Sequence, residues 1–105
     1  MKGERFVVKI YLFCSAGMST SLLVTKMQNA AKAQGIETEI AAFPEAKAGE
    51  LGKEADVVLL GPQVRHRLKK IQEELPGKPV MLIDMRDYGM VNGEKVLKTA
   101  LDSLK

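Results

Sequence analysis

The chain has 105 residues, of which 46% are hydrophobic and 28% are charged. This length and balance predict one soluble domain around a single core and exclude a multidomain enzyme. The net charge is only +3, Trp is absent, and aromatic residues make up 5% of the chain. A nucleic-acid binder usually combines concentrated positive charge with aromatic stacking surfaces, so we expect no nucleic-acid partner.

The single cysteine, Cys14, cannot form a disulfide within the chain. Paired Cys or Cys/His spacings typical of a zinc site are absent from the sequence, so we expect no metal and no cofactor. The first apolar run, residues 6–16, contains Lys9 and is too short to cross a membrane. No signal-type cleavage site follows it, so we predict a cytoplasmic protein that reaches the membrane only through a partner.

The first half of the chain alternates strand and helix patterns. Residues 7–13 are almost continuously apolar, which is typical of a strand buried on both faces of a parallel sheet. A helix is predicted over 18–34, ended by Gly35 in a left-handed conformation. Apolar residues recur in it at helical spacing: Leu22, Leu23, Met27, Ala30 and Ala31. A strand over 37–43 follows, and two glycines weaken the helix pattern over 46–53.

The second half repeats this alternation. Residues 56–60 predict a central strand that ends at Gly61, and a helix begins near Pro62. Its apolar stripe consists of Val64, Leu68, Ile71 and Leu75. Residues 79–83 predict the last strand, and a loop with Tyr88 and Gly89 comes next. Asn92 is expected to cap a final helix whose core face consists of Val96, Leu97, Ala100, Leu101 and Leu104.

Together these elements predict a single α/β domain, a four-stranded parallel sheet flanked by helices on both faces. In such open sheets, ligands bind beyond the carboxyl ends of the strands. The loops to consider therefore follow Phe13, Phe43, Leu60 and Ile83.

The first of these loops has the composition of an anion site. It consists of small and hydroxyl residues that lead into the first helix: Cys14, Ser15, Ala16, Gly17, Met18, Ser19, Thr20 and Ser21. Unpaired N–H groups and the positive end of the dipole at a helix start bind oxyanions. The same environment favours thiolate over thiol at Cys14 and makes it a competent nucleophile.

An inert role for Cys14 is the alternative, because a lone cysteine at the end of a buried strand often serves as a small apolar side chain. Its place at the carboxyl end of a strand, before a loop of small residues and a helix start, instead favours phosphate handling.

The loop resembles a known family. Residues 13–24, FCSAGMSTSLLV, are similar to the phosphorylation loop of the lactose/cellobiose-family IIB proteins of the bacterial phosphoenolpyruvate-dependent sugar phosphotransferase system (PTS). Further segments match in the same order: 42–45, 55–64, 78–80, Ile83 and Asp84, Tyr88 and Gly89, and Asn92 and Gly93. The resemblance implies one lactose/cellobiose-type IIB domain over residues 1–105, with a fold similar to low-molecular-weight tyrosine phosphatases.

The resemblance also implies a function. Cys14 would accept a phosphoryl group from a phosphohistidine of the IIA protein and pass it to a sugar held by the membrane-embedded IIC transporter. The sugar would be of the cellobiose, N,N'-diacetylchitobiose or lactose type. The loop from Ser15 to Ser21 would bind the phosphate of the phosphocysteine. Gly61, Pro62 and Gln63 would lie in the neighbouring loop, with Tyr88 near the rim.

Two other functions stay open at this point. A small cysteine-dependent phosphatase or arsenate-reductase-like enzyme would use the same type of loop, but such phosphatases have an Arg where this chain has Thr20. Without that Arg, hydrolysis of the phosphocysteine should be slow. We also expect transfer to need no Mg²⁺. The other alternative is a regulatory docking protein in which Cys14 is structural.

Outside the loop, a basic stretch is predicted on the exposed side of a helix: Arg65, His66, Arg67, Lys69 and Lys70. It is typical of a solvated face, and it could also steer an acidic partner toward Cys14. We interpret His66 as an ordinary surface residue.

Met27 and Met81 are expected in the core, and Met18 beside the loop is either buried or a partner contact. Asp84 and Asp87 are expected as helix caps or solvent-exposed groups.

Overall fold

The computed structural model describes residues 7–15 and 18–104, with the backbone alone at residues 18 and 19. Four strands form one parallel sheet in the order β2-β1-β3-β4. The strands are β1 (Val8–Cys14), β2 (Thr38–Pro44), β3 (Val57–Leu60) and β4 (Val80–Leu82). The predicted four-stranded parallel sheet is therefore confirmed.

Helices cover both faces of this sheet, as the alternation of elements predicts. In chain order they are α1 (Met18–Ala33), α2 (Ala48–Leu51), α3 (Leu68–Glu74), α4 (Met85–Gly89) and α5 (Gly93–Asp102). Three 3₁₀ segments join them to the strands: Glu45–Lys47, Gly52–Glu54 and Pro62–Arg67.

Strand β1 lies at the centre and separates two cores. Successive side chains of a strand point to opposite faces, so Ile10 and Leu12 pack on one side and Phe13 on the other. The first core lies against α1 and α5 and includes Leu23, Met27, Val96, Leu97 and Ala100. The second lies under α2, α3 and the 3₁₀ segments, and it includes Ala48, Val64, Ile71 and Leu75. Burial on both faces explains why the β1 sequence is almost continuously apolar.

A hydrogen bond between side chains adds to the backbone pairing of β1 with β2. The hydroxyl of Tyr11 donates to Oε2 of Glu39 at 2.7 Å. This hydrogen bond, together with burial, raises the pKa of Tyr11 to about 12, because the phenolate would lose its bond and face a carboxylate.

Helices α1 and α5 pack closely at Gly93. A Cβ on Gly93 would lie 2.6 Å from Cβ of Lys26 and 2.7 Å from both the carbonyl carbon of Lys26 and the backbone nitrogen of Met27. Two of these atoms are backbone and cannot move aside independently. The absence of a side chain at Gly93 therefore allows the two helices to pack at this distance.

The prediction of a loop around Tyr88 and Gly89 is wrong, because these residues belong to the short helix α4. Oδ1 of Asp84 accepts hydrogen bonds from the backbone N–H groups of Arg86 and Asp87 and caps the helix start. The capping role expected for Asp84 is confirmed, whereas Asp87 is buried rather than exposed.

The helix predicted from Pro62 is a 3₁₀ segment through Arg67 that continues as α3, with a kink at Val64. The predicted apolar stripe of this element is buried or half-buried. Its residues lie three or four positions apart in sequence, a spacing that places them on one side of either helix type. The weak pattern over 46–53 forms only one α-helical turn between two 3₁₀ segments. Gly35, with φ +73°, ends α1 as predicted.

Two leucines expected in the helical core faces are exposed. Leu22 is 52% exposed and Leu104 is 44% exposed. Leu22 and Leu23 are neighbours on one helix and differ by 100° in direction, so only Leu23 can point into the core. Leu104 lies beyond the end of α5.

We predict that Gly93→Ala lowers the free energy of unfolding by about 1–3 kcal/mol, because the new methyl group forces α5 away from the α1 backbone. Chemical denaturation followed by circular dichroism measures the change. Gly89→Ala is the matched control, since a Cβ on Gly89 would meet no atom within 4 Å. An equal loss of stability in both variants would contradict the role assigned to this helix contact.

Candidate active site

The site lies where the order of the strands reverses. The chain moves from β1 outward to β2, and then crosses to β3 on the other side of β1. The helix that follows β1 packs on one face of the sheet and the helix that follows β3 on the other. In open α/β sheets this arrangement forms a ligand-binding crevice at the carboxyl edge. The N–H of Gly61 donates to the carbonyl of Phe13 at 3.1 Å and fixes the two strand ends together.

Cys14 is the last residue of β1 and lies against Gly61. Its side chain is buried, with the residue 2% exposed. A Cβ on Gly61 would come within 2.7 Å of Sγ of Cys14 and would also collide with Oε1 of Gln63. The thiol and the Gln63 amide thus pack beside the same backbone position, and a side chain there would require one or both of them to shift.

A chain of hydrogen bonds runs from Gln63 to the start of α1. Nε2 of Gln63 donates to the hydroxyl of Tyr88 at 3.0 Å. The Tyr88 hydroxyl lies 3.1 Å from Oγ1 of Thr20, and either of these two hydroxyls can be the donor. Thr20 is fully buried in the first turn of α1. The structure therefore brings together Cys14, Thr20, Gly61, Gln63 and Tyr88, from three separate stretches of sequence.

The predicted phosphate-binding loop is described in part. Ser15 and Ser21 are exposed at its two ends, and Thr20 is buried. Ala16 and Gly17 lie outside the described residues, as do the side chains of Met18 and Ser19. Helix α1 begins at Met18 and has 16 residues, so the positive end of its dipole faces the crevice. In the neighbouring loop, half-buried Pro62 starts the 3₁₀ segment.

An ion pair that the sequence did not indicate lies at the same edge. Pro44 pairs with Cys14 in the sheet register. In the next residue, Oε1 of Glu45 lies 4.0 Å from Nη1 of Arg67. Oε2 of Glu45 and Nε of Arg67 are buried and accept or donate no hydrogen bond among the described residues. The prediction that Arg67 is on the exposed side is therefore wrong, whereas His66 is exposed as predicted.

Within residues 7–15 and 18–104, no group of three or more His, Cys, Asp and Glu side chains could hold a metal ion. None of the helices found in these ranges has the length and apolar character needed to span a membrane.

A family model described as "PTS system, Lactose/Cellobiose specific IIB subunit" matches residues 9–99. The chain belongs to this family. IIB components are phosphotransferases of a sugar transport system, so this IIB chain is a phosphotransferase.

Curated relatives of this IIB chain differ in their sugar. The oligo-beta-mannoside-specific EIIB component of Bacillus subtilis is 47% identical over 95 residues, which is 89% of this chain and 92% of the relative. The galactose-specific component of Lactococcus lactis subsp. cremoris is 47% identical over 98 residues, 87% of this chain and 91% of the relative. The cellobiose-specific component of Lactococcus lactis subsp. lactis has the same identity and coverage.

Solved structures agree on the architecture. The cellobiose-specific IIB component of Borrelia burgdorferi superposes with a TM-score of 0.77 at 41% identity, covering 92% of this chain and 91% of that one. The lactose-specific IIB domain of Streptococcus pneumoniae superposes with a TM-score of 0.78 at 18% identity, covering 92% and 97%. At 18% identity, this second likeness shows the fold alone.

We predict that Gly61→Ala displaces the Cys14 thiol and the Gln63 amide, because a methyl group cannot fit between them. If the clash destabilises the buried arrangement of the thiol by about 1.4 kcal/mol relative to an accessible one, the accessible fraction rises about tenfold. The rate at which a thiol reagent labels Cys14 should rise by the same factor. Labelling kinetics in native buffer measure this rate. The control, Gly89→Ala, should label at the rate of the unaltered chain. Unchanged labelling in Gly61→Ala would show that the site tolerates a side chain at this position.

Proposed function

We propose that this IIB chain is a phosphoryl carrier whose acceptor is the Cys14 thiolate. The donor is a phosphohistidine of a IIA protein, and the final acceptor is a sugar held by a membrane-embedded IIC transporter. The observation on which the proposal depends is the placement of Cys14 at the carboxyl edge of the sheet, beside the start of α1. The described loop residues around Cys14 are the proposed phosphate site, and the proposed IIB domain spans residues 1–105.

The two transfers balance without an oxidant or a cofactor. In the first, the Cys14 sulfur attacks phosphorus, the S–P bond forms as the N–P bond breaks, and the imidazole of the donor is released after its leaving nitrogen takes a proton from solvent. In the second, a sugar hydroxyl oxygen attacks phosphorus and passes its proton to solvent, the O–P bond forms, the S–P bond breaks, and the thiolate returns. Both steps require mainly in-line positioning and stabilisation of the equatorial oxygens.

The start of α1 supplies the electrostatic part of that stabilisation. The first N–H groups of a helix have no partner within the helix, and the dipole is positive at this end. A dianionic phosphoryl group on Cys14 meets both contributions at once.

Thr20 supplies a side-chain donor. The Tyr88 hydroxyl accepts from Gln63, and we propose that it uses its own proton to donate to Thr20. The Thr20 hydroxyl proton is then available for a phosphoryl oxygen. Gln63 and Tyr88 act through Thr20 and are positioning residues in this scheme.

The same residues favour a carrier over a phosphatase. A hydrolase of this loop type uses an Arg to clamp the phosphate in the transition state, and Thr20 has neither its charge nor its two-pronged geometry. The segment from Ser15 to Ser21 contains no carboxylic acid that could protonate a leaving group. The phosphocysteine should therefore persist until a partner takes the phosphoryl group.

The sugar class is proposed from the family description, which is lactose/cellobiose specific, and from the resemblance of the loop. Three relatives that match this chain at 47% identity are specific for cellobiose, galactose and oligo-β-mannoside. We propose a sugar of the cellobiose, N,N'-diacetylchitobiose or lactose type, taken up through a IIC protein. In this scheme the IIB chain is cytoplasmic and associates with the membrane only through that transporter.

The first experiment incubates the chain with phosphoenolpyruvate, the general phosphotransferase proteins and a IIA protein, and then maps the phosphoryl group by mass spectrometry. We predict modification of Cys14 in the unaltered chain and none in Cys14→Ser, because the serine hydroxyl is not ionised at neutral pH. Absence of the group from Cys14 while the IIA protein is phosphorylated would overturn the proposal. Steady turnover of an aryl phosphate would favour a phosphatase instead.

We predict that Thr20→Val lowers the rate of Cys14 phosphorylation by about 10- to 100-fold, since a hydrogen bond to a charged group contributes about 1.5–3 kcal/mol. Rapid-quench measurement of the phosphorylated fraction gives this rate. The control, Thr20→Ser, keeps the hydroxyl and should transfer at nearly the original rate. Equal rates for Val and Ser would show that the Thr20 hydroxyl does not contact the phosphoryl group.

A further inference from the structure

A patch of unneutralised positive charge begins beside the site. The basic face is defined here as the exposed residues Arg65, His66, Lys69 and Lys70 on the 3₁₀ segment Pro62–Arg67 and helix α3. The fifth base of the stretch, Arg67, is turned toward Glu45. None of the four residues forms an ion pair within the described ranges 7–15 and 18–104. The sequence contains no acidic residue between Asp56 and Glu73.

The position of the basic face follows from the element on which it lies. The 3₁₀ segment begins directly after Gly61, whose Cα lies against Sγ of Cys14. The segment is kinked at Val64, so only the length of an extended chain bounds its reach: the Cα of Arg65 lies within about 14 Å of the Cα of Gly61, four residues before it. Lys69, four residues after Arg65, is exposed as well. The basic face thus starts at the rim of the crevice and extends away from it.

We infer that the basic face is the docking surface for an acidic protein surface surrounding the phosphohistidine of the donor. This inference rests on the proposed carrier function and names what selects the donor. A buried thiol can be reached only by a protruding phosphohistidine, so the donor surface around that histidine must come close to Arg65 and His66. A cluster of exposed bases there attracts both acidic side chains and the phosphoryl group itself.

Charge also favours the donor over the other partner. Before transfer, the donor bears a phosphoryl group of about −2 charge and the carrier bears none. After transfer, the group lies next to the basic face on the carrier and partly neutralises it, while the donor has lost its charge. Both changes weaken the attraction, so the spent donor dissociates. The sugar that receives the group later has no charge to benefit from the basic face.

A lipid surface is a poorer occupant. Stable attachment of a protein to anionic lipid needs a second signal beside a basic cluster, such as an acyl chain or an amphipathic insertion. The exposed side of α3 continues beyond Lys70 with Gln72, Glu73 and Glu74, which are polar or acidic. The basic face is therefore short and suits a local protein contact.

The test compares two double variants with the same change in net charge. Arg65→Glu with Lys69→Glu reverses the basic face. Lys32→Glu with Lys53→Glu reverses two exposed lysines at the opposite edge of the sheet, where α1 ends and where the segment Gly52–Glu54 precedes β3. The readout is kcat/KM and kcat for phosphoryl transfer from the phosphorylated IIA protein, measured at low salt and near 1 M salt.

We expect the reversed basic face to lower kcat/KM at low salt by about tenfold or more, with kcat unchanged. The difference should largely disappear near 1 M salt, where charges are screened beyond about 3 Å. The control should change kcat/KM by less than about threefold. Equal losses in both variants, a loss that persists at high salt, or a loss confined to kcat would each overturn the inference.

Two further measurements separate this inference from the proposed function and from a membrane role. In a Cys14→Ser background, binding of the phosphorylated IIA protein should weaken when the basic face is reversed. Because Cys14→Ser accepts no phosphoryl group, this binding measurement does not depend on transfer. Failure of Cys14 to become phosphorylated would refute the carrier, whereas equal binding with and without reversal would refute the docking surface. The membrane role is tested by co-sedimentation of the unaltered chain alone with phosphatidylglycerol vesicles. If reversal of the basic face abolishes this binding and leaves kcat/KM unchanged, the basic face is a lipid-binding surface.

Discussion

The contact between the Cys14 sulfur and Gly61 constrains everything else at this site. Parallel pairing places the ends of β1 and β3 side by side, and the bond from Gly61 N–H to the Phe13 carbonyl holds them in register. Because Gly61 has no side chain, the thiol and the Gln63 amide can both lie against it. Gln63 then reaches Tyr88, and Tyr88 reaches Thr20. A bulkier residue at position 61 would disturb the whole set.

Contacts that lie away from the crevice hold the surrounding helices in position. Close packing of α5 on the α1 backbone at Gly93 fixes the direction of α1, and so the direction in which its first N–H groups point. The Asp84 cap does the same for α4 and Tyr88. Between α4 and α5, Val91 has φ +53°, which is costly for a β-branched residue. Its side chain packs against the core, and this contact offsets the local strain.

Long elements with strong patterns could be predicted from the sequence, and short or irregular ones could not. The apolar β1, the helix ended by Gly35 and the helix capped by Asn92 all form where predicted. Helix α4 has only five residues and no apolar period to detect, although Asp84 is of a residue type that commonly caps helix starts.

Much of the candidate site could also be predicted from the sequence. The rule that ligands bind at the carboxyl edge, together with the family resemblance, indicated Cys14 and its neighbouring loops. The bond between Thr20 and Tyr88 joins residues 68 positions apart, and only the three-dimensional arrangement of β1 and β4 brings them into contact. The ion pair of Arg67 with Glu45 depends similarly on where a 3₁₀ segment turns, which helical periodicity does not specify.

Burial of the single thiol has a consequence for redox chemistry. A cysteine in the role of phosphoryl acceptor proposed for Cys14 is also open to oxidation of its sulfur, first to a sulfenic acid and then irreversibly to higher acids. Many redox-active proteins rescue the first product with a second cysteine, but this sequence has none. With Cys14 only 2% exposed, peroxide has little access to its sulfur while no partner is bound. The packing that buries the Cys14 sulfur therefore slows oxidative damage that this chain has no resolving cysteine to reverse.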